Sequence, residues 1–273
     1  MTLDRNQLAA LRESVAIVRS QSMGRPEAAI ILGSGLGEVA QEITSPIVID
    51  YSSLPGFAKS TAAGHRGQLI CGRLDGVDVV AMAGRFHRYE GYSDATVTFP
   101  VRLLAALGAE RLIVSNAAGG LCPTLAVGDI VVIRDHIDMP RRSSFPIGAA
   151  DRAVAGQAKE LYDPKLMRAA LQAARKADFH AQPGVYLSTT GPCYETRAEY
   201  RMMRIFGADV VGMSTVPEVS LAHRLGMRVL GLSIVSNVAQ PDCPQPASHD
   251  EVLTAGRAAA HKVRAMLAAA LQS

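Results

Sequence analysis

Cysteine is scarce in this chain: Cys71, Cys122, Cys193 and Cys243 lie far apart, and no two are separated by only two residues. That spacing excludes a disulfide framework and a zinc ribbon, and it fits reduced thiols in a cytoplasmic protein. No apolar run approaches the roughly 18 residues that would cross a bilayer. The opening "MTLDRNQLAALRESVAIVRS" carries charge throughout, with apolar residues at helical spacing, so it reads as an amphipathic helix and not a signal peptide. Like charges never run beyond a pair and the net charge is only +3. Without a basic stripe, nucleic acid is not an expected partner, and neither is a membrane. "RDHID" (Arg134–Asp138) sets one histidine among aspartates, which reads as a polar strand end and not a metal site.

What is present is an ordinary globular composition, 48% hydrophobic and 19% charged. Short β-rich apolar runs alternate with helical patterns from end to end, without a repeat or linker. Strands are expected at Ala28–Leu32, Ile47–Tyr51, Gln68–Leu74, Val77–Ala83, Arg111–Ser115, Asp129–Arg134, Gly184–Ser188, Asp209–Gly212 and Arg228–Ser236. Helices are expected at Asp4–Gln21, Ala95–Leu107, Pro164–Ala177, Arg197–Phe206, Pro217–Leu225 and His249–Leu271. Asp75-Gly76 between two runs predicts a two-residue hairpin. Several strands are apolar on both faces, as when helices cover both sides of a sheet. The fold class is therefore α/β, a single domain over residues 1–273 with a central mixed sheet flanked by helices.

Three capping boxes mark helix starts: Thr196 with Glu199, Thr215 with Glu218, and Ser248 with Glu251. Each places a loop where free backbone N–H groups point outward, and ligands collect at such strand ends.

"IILGSGLGE" (Ile30–Glu38) breaks an apolar run into spaced glycines. The dinucleotide fingerprint would need a third glycine where Glu38 stands, and a triphosphate loop would need a lysine that is absent. What remains is Ser34 flanked by glycines, either a phosphate contact or a tight turn. "GRFHRYEGY" (Gly84–Tyr92) crowds Arg85, His87 and Tyr89 onto one loop, with a guanidinium fork suited to an oxyanion. "AAGHRGQ" adds His65. "VSNAAGGL" leaves a strand through small residues, Ala117 among them, that let a ligand lie against bare amides. "GPCYETRAE" offers Tyr194 and Glu195 before a helix, "GADVVGMSTVPEV" offers Met213 and Ser214, and "LSIVSNVA" ends a strand in Ser236 and Asn237. A buried carboxylate and carboxamide at strand ends need partners, either loop backbone or the edge of a heterocycle.

Taken together and in order, "ILGSGLG", "GRFHRYEGY", "SNAAGGL", "GPCYETRAE" and "GADVVGMSTVPEV" resemble the trimeric family of purine nucleoside phosphorylases. The resemblance runs from about Ile30 to the C-terminal helix. It implies a partly barrel-like sheet, a cytoplasmic homotrimer, no cofactor or metal, and inorganic phosphate as co-substrate for cleavage of purine nucleosides. It further implies that Ser34, Arg85, His87, Ser214 and the Ala117 amide surround phosphate, with His65 at its edge. Tyr89, Met213 and His249 would line the ribose. Glu195 and Asn237 would read the base, with Tyr194 on its face, so that Asn237, His87 and Glu195 are the expected catalytic residues. Asn at position 237, where 6-amino-specific relatives carry Asp, implies inosine and guanosine as preferred substrates.

The chain departs from that family at three places. Tyr194 stands where many relatives have Phe, and Ser236 where Thr is usual. "MPRRSSFPIGAADRAVAGQAKELYD" is shorter than its counterpart, and the aromatic that closes a neighbouring ribose pocket aligns with Ala155, leaving Phe145 as the nearby Phe. Other classes fit less well. A nucleoside hydrolase needs an Asp-rich calcium site near the N-terminus, an NAD-dependent oxidoreductase needs the other glycine spacing, and a purine sensor has no use for the phosphate set. Cys193, His223 and His261 read as bystanders.

Overall fold

The computed structural model describes residues 3–21, 24–60, 66–140, 160–239 and 249–273, with only the backbone of His249. Among them lies a nine-stranded sheet. Its strands are β1 (Ala28–Leu32), β2 (Thr44–Asp50), β3 (Gln68–Leu74), β4 (Val77–Ala83), β5 (Arg111–Gly120), β6 (Ile130–Asp138), β7 (Ala181–Ser188), β8 (Val210–Gly212) and β9 (Arg228–Val238). The helices are α1 (Arg5–Gln21), α2 (Asp94–Leu107), α3 (Pro164–Lys176), α4 (Arg197–Ile205), α5 (Val216–Arg224) and α6 (His249–Leu271).

The strand order is β2-β3-β4-β1-β5-β8-β7-β6-β9, and β9 also pairs with β5. That second pairing closes β5, β8, β7, β6 and β9 into a barrel, while β2, β3, β4 and β1 continue from β5 as an open wing. Pairings are mixed: β1 runs parallel to β4 and β5, and β3 antiparallel to β2 and β4. The expected hairpin joins β3 to β4, with Asp75 and Gly76 both at positive φ, the primed-turn geometry that matches strand twist.

Burial explains the run of apolar residues in β1. Ile30 and Leu32 enter one core with α3 and α6, while Ala29 and Ile31 enter another with α1, α2 and α5. A strand covered on both faces has no polar side to show.

Several strands extend beyond their expected ends, β5 and β6 the furthest. β6 runs on through Arg134 to Asp138, paired with β7, and His136 bonds the buried Tyr162 hydroxyl at 3.0 Å. β5 runs on through Ala117 to Gly120, so these small residues form a strand and not a loop. Barrel closure is the reason they are small. A Cβ on Gly119 or Gly120 would meet Val211 at 3.3 Å or Val235 at 3.0 Å.

Caps close the helices that face the barrel mouth. Thr196 accepts from the Glu199 amide at 3.3 Å while Glu199 accepts from the Thr196 amide at 2.6 Å. The Thr215 amide likewise donates to Glu218 at 2.9 Å. Ser248, His65, Cys243, Phe145 and Ala155 lie outside the described residues, as does the side chain of His249.

Candidate active site

One cleft opens at the ends of β1, β4, β5, β8 and β9, enclosing about 770 Å³ of empty space with its mouth included. Ser34, Arg85, His87, Tyr89, Ala117, Tyr194, Glu195, Met213, Ser214 and Asn237 all line it. So do Asn116, Tyr200 and Val252, which no sequence pattern singled out.

The glycine turn reaches the cleft because it is pressed from behind. Gly35 has φ 81°, and a Cβ there would sit 2.7 Å from the Leu253 carbonyl of α6. A Cβ on Gly256 of α6 would collide with the Ser34 carbonyl. A Cβ on Gly33 would lie 2.8 Å from the Ser115 carbonyl of β5. A side chain on any of these glycines would meet protein backbone, and Ser34 is the residue of the turn that brings a side chain to the cavity.

The loop after β4 is anchored by aromatics. Phe86 packs in a buried cluster with Tyr51, Phe57 and Tyr92, at ring separations of 5.6, 5.9 and 5.9 Å. Only Tyr89 of the loop's aromatics turns to the cleft, stacked on His87 at 4.6 Å. Burial, reinforced by neighbouring Glu90, pushes the Tyr89 phenol up to about 12, so it stays protonated at neutral pH. Glu90 accepts from the His87 amide and faces His87 Nδ1, both at 2.8 Å. Against an ionised carboxylate, Nδ1 carries the ring proton, which sets the imidazole's orientation.

Arg85 is 2% exposed and runs under the floor of the site. Its Nη1 donates to Ser214 Oγ at 3.3 Å, Thr215 Oγ1 at 3.1 Å and Glu218 Oε2 at 3.3 Å. Its Nη2 bonds the Ile31 and Ser115 carbonyls. The guanidinium is thus partly committed to the protein before any anion arrives. Glu218 is equally buried, and that burial raises its carboxyl pKa against the pull of Arg85 and the Thr215 amide. The Thr215-to-Glu218 box is legible as a helix start, but its pairing with a residue 133 positions away is not.

Thr215 itself is held at φ 75° and ψ −52°, with the Val216 amide bonded back to the Ser214 carbonyl at 2.8 Å. That is a γ-turn of the rare positive-φ kind, strained for a β-branched residue by about 1–3 kcal/mol.

On the opposite wall, Glu195 accepts from Thr189 Oγ1 at 3.0 Å. Burial raises its pKa, with bonds from Thr189 and Tyr200 pulling the other way. Asn237 is aimed by a bulge: Ala118 pairs with Val235 and Gly119 with Asn237, so Ser236 is the extra residue in β9. The Ser236 hydroxyl lies 3.0 Å from Asn237 Oδ1 and 3.3 Å from the Ala118 carbonyl, and its single proton serves one of them, so it ties the Asn237 amide to the bulge.

Among the described residues no group of His, Cys, Asp or Glu could hold a metal ion, and no helix is long and apolar enough to cross a membrane.

A guanidinium with hydroxyls on one side and a carboxylate with a carboxamide on another meet in one cavity, groups able to hold an oxyanion beside a polar heterocycle. Residues 27–272 match the model of the phosphorylase superfamily, and the chain belongs to it. Within that class it belongs with the purine nucleoside phosphorylases. It is 46% identical over 251 residues to purine nucleoside phosphorylase 1 of Bacillus subtilis, covering 89% of this chain and 90% of the relative. The Schistosoma mansoni purine nucleoside phosphorylase in complex with inosine superposes with a TM-score of 0.87 at 36% identity, over 97% of this chain and 96% of that one. The same Schistosoma enzyme in complex with adenosine gives 0.85 at 36% identity, over 97% of both.

Proposed function

We propose that this chain catalyses phosphorolysis of purine ribonucleosides and deoxyribonucleosides, chiefly inosine and guanosine, giving free base and (deoxy)ribose 1-phosphate in purine salvage. The observation that carries this reading is the shared cavity, lined both by Ser34, Arg85, His87 and Ser214 and by Glu195 and Asn237.

In this mechanism a phosphate oxygen forms a bond to C1′ as the C1′–N9 bond breaks, and the bonding pair leaves with the purine. The Ser34 and Ser214 hydroxyls and the Ala117 amide donate to the anion, Arg85 supplies positive charge, His87 adds a hydrogen bond in the orientation Glu90 sets, and His65 acts at the edge. Tyr89, Met213 and His249 hold the ribose, and Tyr194 covers the base. Glu195 accepts from N1–H, and the Asn237 NH2 donates at N7 as negative charge grows on the ring, while solvent supplies the proton that completes the base. Donors aimed at charge that develops only in the transition state raise the rate and not merely the affinity.

A carboxamide at position 237 can present a donor, which a carboxylate there cannot, and a donor suits a 6-oxo group and opposes a 6-amino group. The Schistosoma relative is seen with adenosine as well as inosine, so turnover and not binding is the discriminating measure. Phosphate is the co-substrate and no cofactor enters the chemistry. The chain acts as a single domain over residues 1–273, in the cytoplasm, as a homotrimer without nucleic-acid or membrane partners.

The test is hypoxanthine release from inosine with and without orthophosphate. Release that needs phosphate and yields ribose 1-phosphate supports the reading, and release that is equal without it points to a hydrolase.

A further inference from the structure

Ser214 is gripped from every side that does not face the cleft. Its amide donates to the Tyr186 hydroxyl at 3.2 Å, and the same hydroxyl donates to its carbonyl at 3.2 Å. Tyr186 lies inside the barrel on β7, fully buried, and a Cβ on Gly212 would collide with its hydroxyl. The γ-turn at Thr215 closes onto the same carbonyl from the other direction.

The side-chain bonds set a direction as well as a place. Thr215 Oγ1 receives Asn116 Nδ2 at 2.9 Å and Arg85 Nη1 at 3.1 Å, and a guanidinium can only donate. With both lone pairs engaged, the Thr215 proton goes to the remaining neighbour, Ser214 Oγ at 3.1 Å. Ser214 Oγ takes a further bond from Arg85 Nη1 at 3.3 Å. The two Nη1 protons are shared among Thr215, Ser214 and Glu218, and with Thr215 and Nη1 on its acceptor side the Ser214 proton is directed into the cavity.

We propose that Thr215 and Tyr186 are positioning residues that preset the Ser214 hydroxyl as a hydrogen-bond donor to the phosphate nucleophile. Neither touches the anion. Thr215 orders the protons of a buried network made by Asn116, Arg85 and Glu218, and Tyr186 fixes the peptide that carries Ser214. The γ-turn at Thr215 is what sets the Ser214 and Thr215 hydroxyls side by side, 3.1 Å apart. The proposal rests on the phosphorylase reading and deepens it.

The experiment is steady-state kinetics with phosphate and inosine varied separately, on Thr215→Val, Thr215→Ser and Tyr186→Phe. Valine keeps the β-branched shape and removes only the hydroxyl. We expect Thr215→Val to raise the phosphate KM by roughly tenfold while the inosine KM stays within about twofold. Thr215→Ser, which restores the hydroxyl, should return the phosphate KM to within about twofold of the parent. Tyr186→Phe should show the same selective rise, and it carries the test if the valine variant does not fold. An unchanged phosphate KM, a parallel rise in both KM values, or a serine variant as impaired as valine overturns the proposal. Failure of the unmodified enzyme to need phosphate would instead sink the reading beneath it, so the two failures are told apart.

Discussion

Arg85 Nη1 and Glu218 Oε2 stand 3.3 Å apart, each side chain 2% exposed, at the base of the cleft. The carboxylate keeps the guanidinium tolerable in the core while the cleft is empty. Removing one partner of such a pair strands the other's charge, so Glu218→Ala should lose about 3–5 kcal/mol of stability. Chemical denaturation at neutral pH measures it, and a loss below about 1 kcal/mol would show that the pair is not what supports Arg85.

Glu195 must be ionised to accept from a purine N1–H, and burial raises its pKa. Activity should therefore fall as pH drops through a value above the ordinary carboxylate range. The stability term has the opposite sense. A folded-state pKa above the unfolded one favours the protonated form, so this group's contribution declines as pH rises through the raised value. The pH profile of kcat/KM for inosine reads the first effect. Glu195→Gln should abolish that acid limb, and an unmoved limb in the variant would assign it elsewhere.

In the proposed reading, Asn237 and its bulge set base preference. Asn237→Ala should lower kcat/KM for inosine by roughly 100-fold, as loss of a transition-state donor commonly does. Asn237→Asp should shift preference toward adenosine, because the carboxylate accepts where the amide donates. Equal turnover of inosine and adenosine by the unmodified enzyme would contradict this account.

Gly256→Ala separates two opposing effects. In a bare helix alanine would gain about 1 kcal/mol over glycine. Here the new Cβ collides with the Ser34 carbonyl, a backbone atom that cannot swing away. Overpacking should win, with about 1–3 kcal/mol lost and a raised phosphate KM as the glycine turn is pushed off α6. A rise in Tm would show that the turn yields freely.

Asp163 caps α3, accepting from the Lys165 and Leu166 amides at 2.8 and 3.0 Å, and pairs with Arg228 at 2.7 Å. The Arg228 bond, with those two amides, holds its carboxyl down to about 2. A depressed pKa gives stability that is full above the unfolded value, near 4, and lost as pH falls toward 2. Asp163→Ala should cost about 1–2 kcal/mol at neutral pH, given partial exposure. The gap between the two proteins should close on acidification, and a constant gap would argue that packing, not charge, makes the difference.

Much of this was legible in one dimension. β1, β3 and β4 begin and end where their apolar runs do, and Asp75-Gly76 turns as its chemistry requires, because strand period and turn residues act over a few neighbours. Arg85, Glu195 and Asn237 stand out because a charged or amide group at a strand end needs a partner. The partners themselves were not legible. Glu218 reads as a helix cap, Tyr186 as one more apolar strand residue and Gly256 as a helix interior, and each acquires its role across a contact far away in sequence. The continuation of β5 through Asn116–Gly120 was missed for the same reason: small residues look like a loop until β8 and β9 close around them.

Local order, then, was determined by the sequence alone, since propensity and hydrophobic period are properties of adjacent residues. The barrel closure, the Ser236 bulge that aims Asn237 and the network beneath Ser214 were decided only in the tertiary structure. Each depends on which distant groups meet and on how many hydrogen bonds a buried atom has left to make.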